Sequence, residues 1–108
     1  MVDFSKVEEV TIPHMKGGEG FAKARIVDDG KVKIMCSVLE KGSSIGLHTH
    51  IGSTEVIYIL SGEAVSVMDG KEENVLAGQA VYCPEGHSHS MMNKKDEPLV
   101  CFCVVAKQ

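Results

Sequence analysis

Residues 46–55, Gly-Leu-His-Thr-His-Ile-Gly-Ser-Thr-Glu, set two histidines one residue apart and a glutamate five positions after the second. On a strand, His48 and His50 point to the same face, ~7 Å apart along the backbone. The intervening Ile51-Gly52-Ser53-Thr54 is suited to turning the chain, which lets Glu55 return beside the histidines. Two imidazoles and one carboxylate converging on a point form a site for a divalent transition metal. Further along, Pro84 and Gly86 make a turn, and His87 and His89 follow on the next strand. If that strand packs beside the first pair, His89 completes a set of three nitrogens and one oxygen. A glutamate buried among histidines without a cation would be costly unless paired.

His87 precedes His89 by two residues, so a regular strand would turn both to the same face, although Gly86 disturbs that regularity. His87 is a candidate proton shuttle if it lines the pocket, with Tyr58 and Tyr82 as secondary candidates. The cysteines Cys36, Cys83, Cys101 and Cys103 read as small buried hydrophobes rather than ligands. Cys101 and Cys103, an i, i+2 pair on one strand face, are spaced too widely for an unstrained disulfide. Arg25, the sole arginine, shares a face with Lys23 and reads as solvent-facing, which leaves few fixed cations for a sugar phosphate.

These side chains need a rigid frame, and the sequence supplies many short strands between turns. FAKARIV (21–27) leads through Asp-Asp-Gly into VKIMCSVL (32–39), where Val32, Ile34, Cys36 and Val38 form an apolar face opposite Lys33, Met35 and Ser37. VIYIL (56–60), EAVSVM (63–68), KEENVL (71–76), QAVYC (79–83), SHSMMN (88–93) and LVCFCVV (99–105) follow, with Asp69-Gly70 as a strong hairpin signal. No long stretch carries a helical period, so the expected class is all-β, a sandwich or barrel. VIYIL and LVCFCVV are apolar on both faces and require a second covering layer, either residues 1–13 or a partner subunit.

The spacing of these residues resembles the cupin superfamily. Its first motif is met by Gly42, His48, His50, Glu55 and Gly62 (residues 42–62), and its second by Gly78, Pro84, Gly86, His89 and Asn93 (residues 78–93). The resemblance implies a double-stranded β-helix, or jelly-roll, barrel spanning residues 1–108 as one domain. It further implies one divalent transition metal per chain (Fe, Mn, Ni, Zn or Cu), held inside by His48, His50, Glu55 and His89. Family members of this type include dioxygenases, decarboxylases and lyases acting on small oxygenated molecules, with Glu55 either a ligand or a general base. The alternative is a module that binds a small molecule or metal without turnover.

With 108 residues, 11 Lys+Arg and 15 Asp+Glu, the chain has the composition of one small globular domain with a net charge of −4. It lacks the basic footprint of a nucleic-acid binder and any basic amphipathic stretch for a membrane surface. The first residues, MVDFSKVEEV, carry no secretory pattern, so reduced cysteines and a cytoplasmic location are expected. The two-faced apolar strands point to a homodimer, with a small-molecule ligand as the other partner.

Overall fold

The computed structural model describes residues 1–108 as two antiparallel sheets closed over one core. Ten strands alternate in sequence: β1 (Glu9–Pro13), β2 (Phe21–Asp28), β3 (Val32–Leu39), β4 (Ser44–Thr49), β5 (Ser53–Ser61), β6 (Glu63–Met68), β7 (Lys71–Leu76), β8 (Ala80–Cys83), β9 (Ser88–Met92) and β10 (Leu99–Lys107). The order β1-β2-β3-β10-β5-β8 makes a six-stranded sheet, and β4-β9-β6-β7 makes the four-stranded sheet facing it. This is the expected all-β jelly roll. Short 3-10 turns at Phe4–Lys6 and Met15–Gly17 are its remaining regular elements, and no helix is long and apolar enough to cross a membrane. The Asp69-Gly70 turn joins β6 to β7 with φ of 49° and 82°, the paired positive values of a type I′ hairpin.

Strand register arranges the barrel interior in layers. Residues directly opposite one another across a sheet share a face. At the closed end, Leu99 of β10 meets Leu39 of β3, both fully buried. Above them Cys101 lies between Ser37 and Ile59, and then Cys103 lies between Met35 and Ile57. The row at the open end is Lys33, Val105, Glu55 and Cys83, running across β3, β10, β5 and β8. Apolar bulk thus gives way to thiol and hydroxyl groups and then to charge. Cys83, Cys101 and Cys103 are free thiols buried in this interior, as core residues should be.

The inward face of β3 differs from the expectation. Met35, Ser37 and Leu39 are the buried set, while Val32, Ile34, Cys36 and Val38 face outward. Alternation identifies which residues share a face but not which face is inside, and here pairing with Cys101 and Cys103 of β10 decides it. Cys36 is therefore half-buried beneath the N-terminal segment rather than in the core.

That segment supplies part of the outer layer. Phe4 packs edge-on against Phe102 with ring centroids 6.1 Å apart. Arg25 donates from Nη1 to the backbone carbonyls of Phe4 and Val7, so it fastens the N-terminus instead of facing solvent freely. Residues 9–13, which have no clear strand pattern, become β1 by pairing with β2.

Candidate metal centre

The four candidate ligands come from both sheets. Glu55 stands at the start of β5 in the six-stranded sheet, whereas His48 and His89 are directly opposed on β4 and β9 of the other. His50 lies one residue beyond β4, held by its N–H to the His87 carbonyl (3.0 Å) and its carbonyl to the Gly86 N–H (2.7 Å).

A β-bulge aims His48 into the barrel. Ile45 pairs with Met91 and His48 with His89, so Gly46 and Leu47 together oppose a single residue of β9. In an unbroken strand Ile45 and His48 would face opposite sides. With the extra residue, Ile45 is buried, Leu47 turns outward at 69% exposure, and His48 turns in. The Gly46 carbonyl then accepts from Nδ1 of His48 at 2.7 Å. A carbonyl only accepts, so the neutral ring carries its proton on Nδ1 and presents the Nε2 lone pair to the site. Nδ1 of His50 lies 2.9 Å from Ser53 Oγ, which orients that ring in the same sense. Both arrangements are the outer hydrogen bonds that metal-ligating histidines use.

The donor atoms meet closely. Nε2 of His89 is 3.1 Å from Nε2 of both His48 and His50. Oε1 of Glu55 lies 2.9 Å from His89, 3.0 Å from His50 and 3.8 Å from His48. All four donors fall within 4.8 Å of one another. Two donors each ~2.1 Å from one ion and at right angles are about 3.0 Å apart, so the short separations fit a single transition metal. Three imidazole nitrogens and one carboxylate oxygen are also the donor types such an ion takes.

Electrostatics favours the ligating protonation states. Burial pushes the His50 imidazole below its ordinary value, against the pull of Glu55, which keeps it neutral. Burial alone would raise Glu55, but its contacts with His48 and His89 and the charges of His89 and His50 outweigh that and hold it at about 2. The carboxylate is ionised at neutral pH although only 6% exposed.

A pocket of about 250 Å³ opens beside the cluster, lined in part by His48, His50 and Glu55. Met35, Ile45 and Val105 form its apolar wall, and Lys16 and Lys33 reach its lining from the 14–20 segment and from β3. Neither lysine is evident from the sequence. Lys33 alternates in phase with Met35 and Ser37, but only the β3–β10–β5 register shows that this phase faces Glu55.

The structure does not bring His87 to the pocket. Its half-exposed ring pairs through Nδ1 with Asp69 at the β6–β7 turn, and Ser88 N–H donates to the same carboxylate. Gly86, with a φ of 87°, breaks the strand phase that would have aligned it with His89. Tyr58 and Tyr82 stand on the outer face of β5 and β8, 42% and 59% exposed, and also lie outside the pocket. Asn93 serves the frame instead: its buried Nδ2 donates to the carbonyls of Leu39 and Glu97, and Oδ1 accepts from Lys95 N–H.

Comparison with known proteins agrees with this geometry. The cupin-domain family model matches residues 35–105. The oxalate-binding protein of Thermotoga maritima is 32% identical over 111 residues, covering 97% of this chain and 92% of that protein. A crystal structure of a predicted oxalate decarboxylase from Thermotoga maritima superposes with a TM-score of 0.93 at 31% identity, covering 100% of this chain and 99% of the other. The cupin domain of Schizosaccharomyces pombe Cnp3 matches the fold alone, with a TM-score of 0.80 at 11% identity over 100% of this chain and 74% of that one. Two complete motifs, a jelly roll and a His-His-Glu-His cluster between its sheets place the chain in the cupin family.

Proposed function

We propose that this protein is a metal-dependent cupin that binds a small oxygenated acid, with His48, His50, Glu55 and His89 holding one divalent transition metal. The observation that carries the reading is the convergence of four donor atoms beside a pocket of about 250 Å³. When bound, the metal supplies Lewis-acid attraction for a ligand oxygen. The chain's own residues do the rest. Gly46 and Ser53 fix the rings of His48 and His50, the apolar wall of Met35, Ile45 and Val105 limits water, and the pocket admits only a compact ligand. A relative that binds oxalate supports this class of ligand.

The test is elemental analysis of tag-free protein from metal-replete medium, wild type beside His48→Ala, followed by calorimetric titration with oxalate. About one transition metal per chain, lost in the variant, is the expected result. Metal-free wild type that cannot be reloaded overturns the assignment.

Turnover is the second reading, and the position of Glu55 favours it. Its carboxylate belongs both to the donor cluster and to the pocket lining, so on leaving the metal it could accept a proton from the ligand. Product analysis for decarboxylation, dioxygenation or elimination separates this enzyme from a pure binding module. The same proposal takes the protein as a cytoplasmic homodimer. Four free thiols suit a reducing compartment. Val56, Tyr58, Leu60 and Tyr82 form an exposed apolar face on β5 and β8 suited to a second copy.

A further inference from the structure

Lys33 belongs to the inward row of its strand, in phase with Met35 and Ser37. The register places it opposite Val105, and Val105 opposite Glu55, so the three residues form one line across β3, β10 and β5. Neighbouring strands are ~4.8 Å apart, which puts the backbone of Lys33 roughly 10 Å from that of Glu55 on the same face. It is half-buried and lines the pocket together with Met35 and Val105, and a lysine so placed can cover the wall with its stem while its ammonium stays in water. Asp28 stands directly opposite it across β2 and β3, yet the two form no ion pair. The lysine ion pairs of the molecule, Lys41–Asp96 and Lys95–Glu63, lie elsewhere.

Lys16 approaches the same pocket from the opposite side. Its backbone is fixed because the Lys16 carbonyl sits against Gly46 and Gly18 sits against the Ser44 carbonyl, each so closely that a Cβ there would lie 2.1 Å from the oxygen. A shallow depression beside the mouth adds Lys31 and Lys107, with Asp28 as its one acid. A chain of net charge −4 thus concentrates unpaired cations around the opening of one pocket.

We infer that Lys33, assisted by Lys16, selects the charge of the ligand, and that the pocket takes a compact dicarboxylate rather than a neutral or singly charged acid. This rests on the metal-dependent reading above: one end of the ligand faces the His-His-Glu-His cluster and its second negative charge faces the lysines. The pocket of about 250 Å³ limits such a ligand to a compact one. Lys33 is a specificity residue in this scheme, with no part in holding the metal.

The test titrates oxalate, malonate and glycolate into metal-loaded wild type, Lys33→Met and Lys33→Arg, with bound metal measured on the same samples. Lys33→Met should weaken oxalate and malonate about tenfold, the size of one hydrogen bond to a charged group, while glycolate changes much less. Lys33→Arg should restore the dicarboxylates, and salt should erode the preference in wild type but not in Lys33→Met. Equal loss for all three acids, no loss for any, or loss of metal from Lys33→Met overturns the inference. Wild type that holds metal yet binds none of the acids also overturns it while leaving the metal centre standing. Wild type that holds no metal removes both.

Discussion

Gly46→Ala should damage both the barrel and the metal centre through one methyl group. Gly46 lies in the β4 bulge, and a Cβ there would meet the Lys16 carbonyl oxygen at 2.1 Å, Gly18 N at 2.8 Å and Gly17 C at 2.9 Å. Ordinary contact begins near 3.4 Å, and all three neighbours are backbone, so no side-chain rotation relieves the clash. The 14–20 segment must lift off β4 by roughly 1 Å. Overpacking of this kind costs about 1–3 kcal/mol. Lifting also strains the paired bonds between Ser44 and Glu19, N–H to carbonyl at 2.9 Å and N–H to Oγ at 2.8 Å, worth about 1 kcal/mol each. A total near 3–5 kcal/mol lowers the melting temperature by about 12–20 °C in a domain of this size. The Gly46 carbonyl also holds Nδ1 of His48, so its displacement should weaken metal binding about tenfold or more. The assay is thermal denaturation of metal-free protein together with chelator competition, with Gly42→Ala as control. Gly42 has a φ of 82° but open space around it, so alanine there costs only about 1–2 kcal/mol of backbone strain and leaves the metal affinity unchanged. A Gly46→Ala protein that melts and binds metal like wild type would refute the account of the bulge.

Glu55→Gln should flatten the acid limb of metal-free stability. The folded carboxyl is lowered from 4.5 to about 2, so its contribution is full above pH 4.5 and is lost as pH falls toward 2, a difference of about 3 kcal/mol. Parallel urea-denaturation profiles for wild type and variant over that interval would contradict the assigned electrostatics. His87→Ala should leave bound metal unchanged, because its ring is engaged with Asp69 outside the pocket; metal analysis showing a loss like that of His48→Ala would place it functionally in the centre after all. Tyr58→Lys combined with Tyr82→Lys should convert a dimer to a folded monomer in light scattering, and an unchanged mass would remove β5 and β8 as the interface.

Much of the frame was legible because turns and alternation are local. EAVSVM and KEENVL coincide with β6 and β7, and Asp69-Gly70 forms the expected hairpin turn. What could not be read depends on pairing between distant strands. The phase of β3 was open until β10 fixed it, which also hid Lys33 as a pocket residue. The bulge in β4 was equally hidden: strict alternation through Ile45 and Leu47 would send His48 outward, and only the pairing with Met91 and His89 shows the inserted residue. The cupin spacing names His48, His50, Glu55 and His89 together because it encodes that long-range pairing implicitly, and their donor atoms lie within 4.8 Å of one another. It could not do the same for His87, where Gly86 alters the local phase, or for Tyr58 and Tyr82, whose strand has apolar residues on both faces.

The position of the cluster couples binding to the barrel itself. Three donors belong to the four-stranded side and one to the six-stranded side, so any cation they share ties the two sheets together at the open end. At the other end Leu39 and Leu99 already close the core without help. The sheets therefore need their added constraint at the end where a ligand must pass, and where Lys33, Glu55 and the histidines replace apolar contacts with charge. A pocket lined by cations and an ionised glutamate cannot stabilise itself by burial. A site of this composition gains stability from the groups it binds, which makes occupancy and local order at the mouth one thermodynamic quantity.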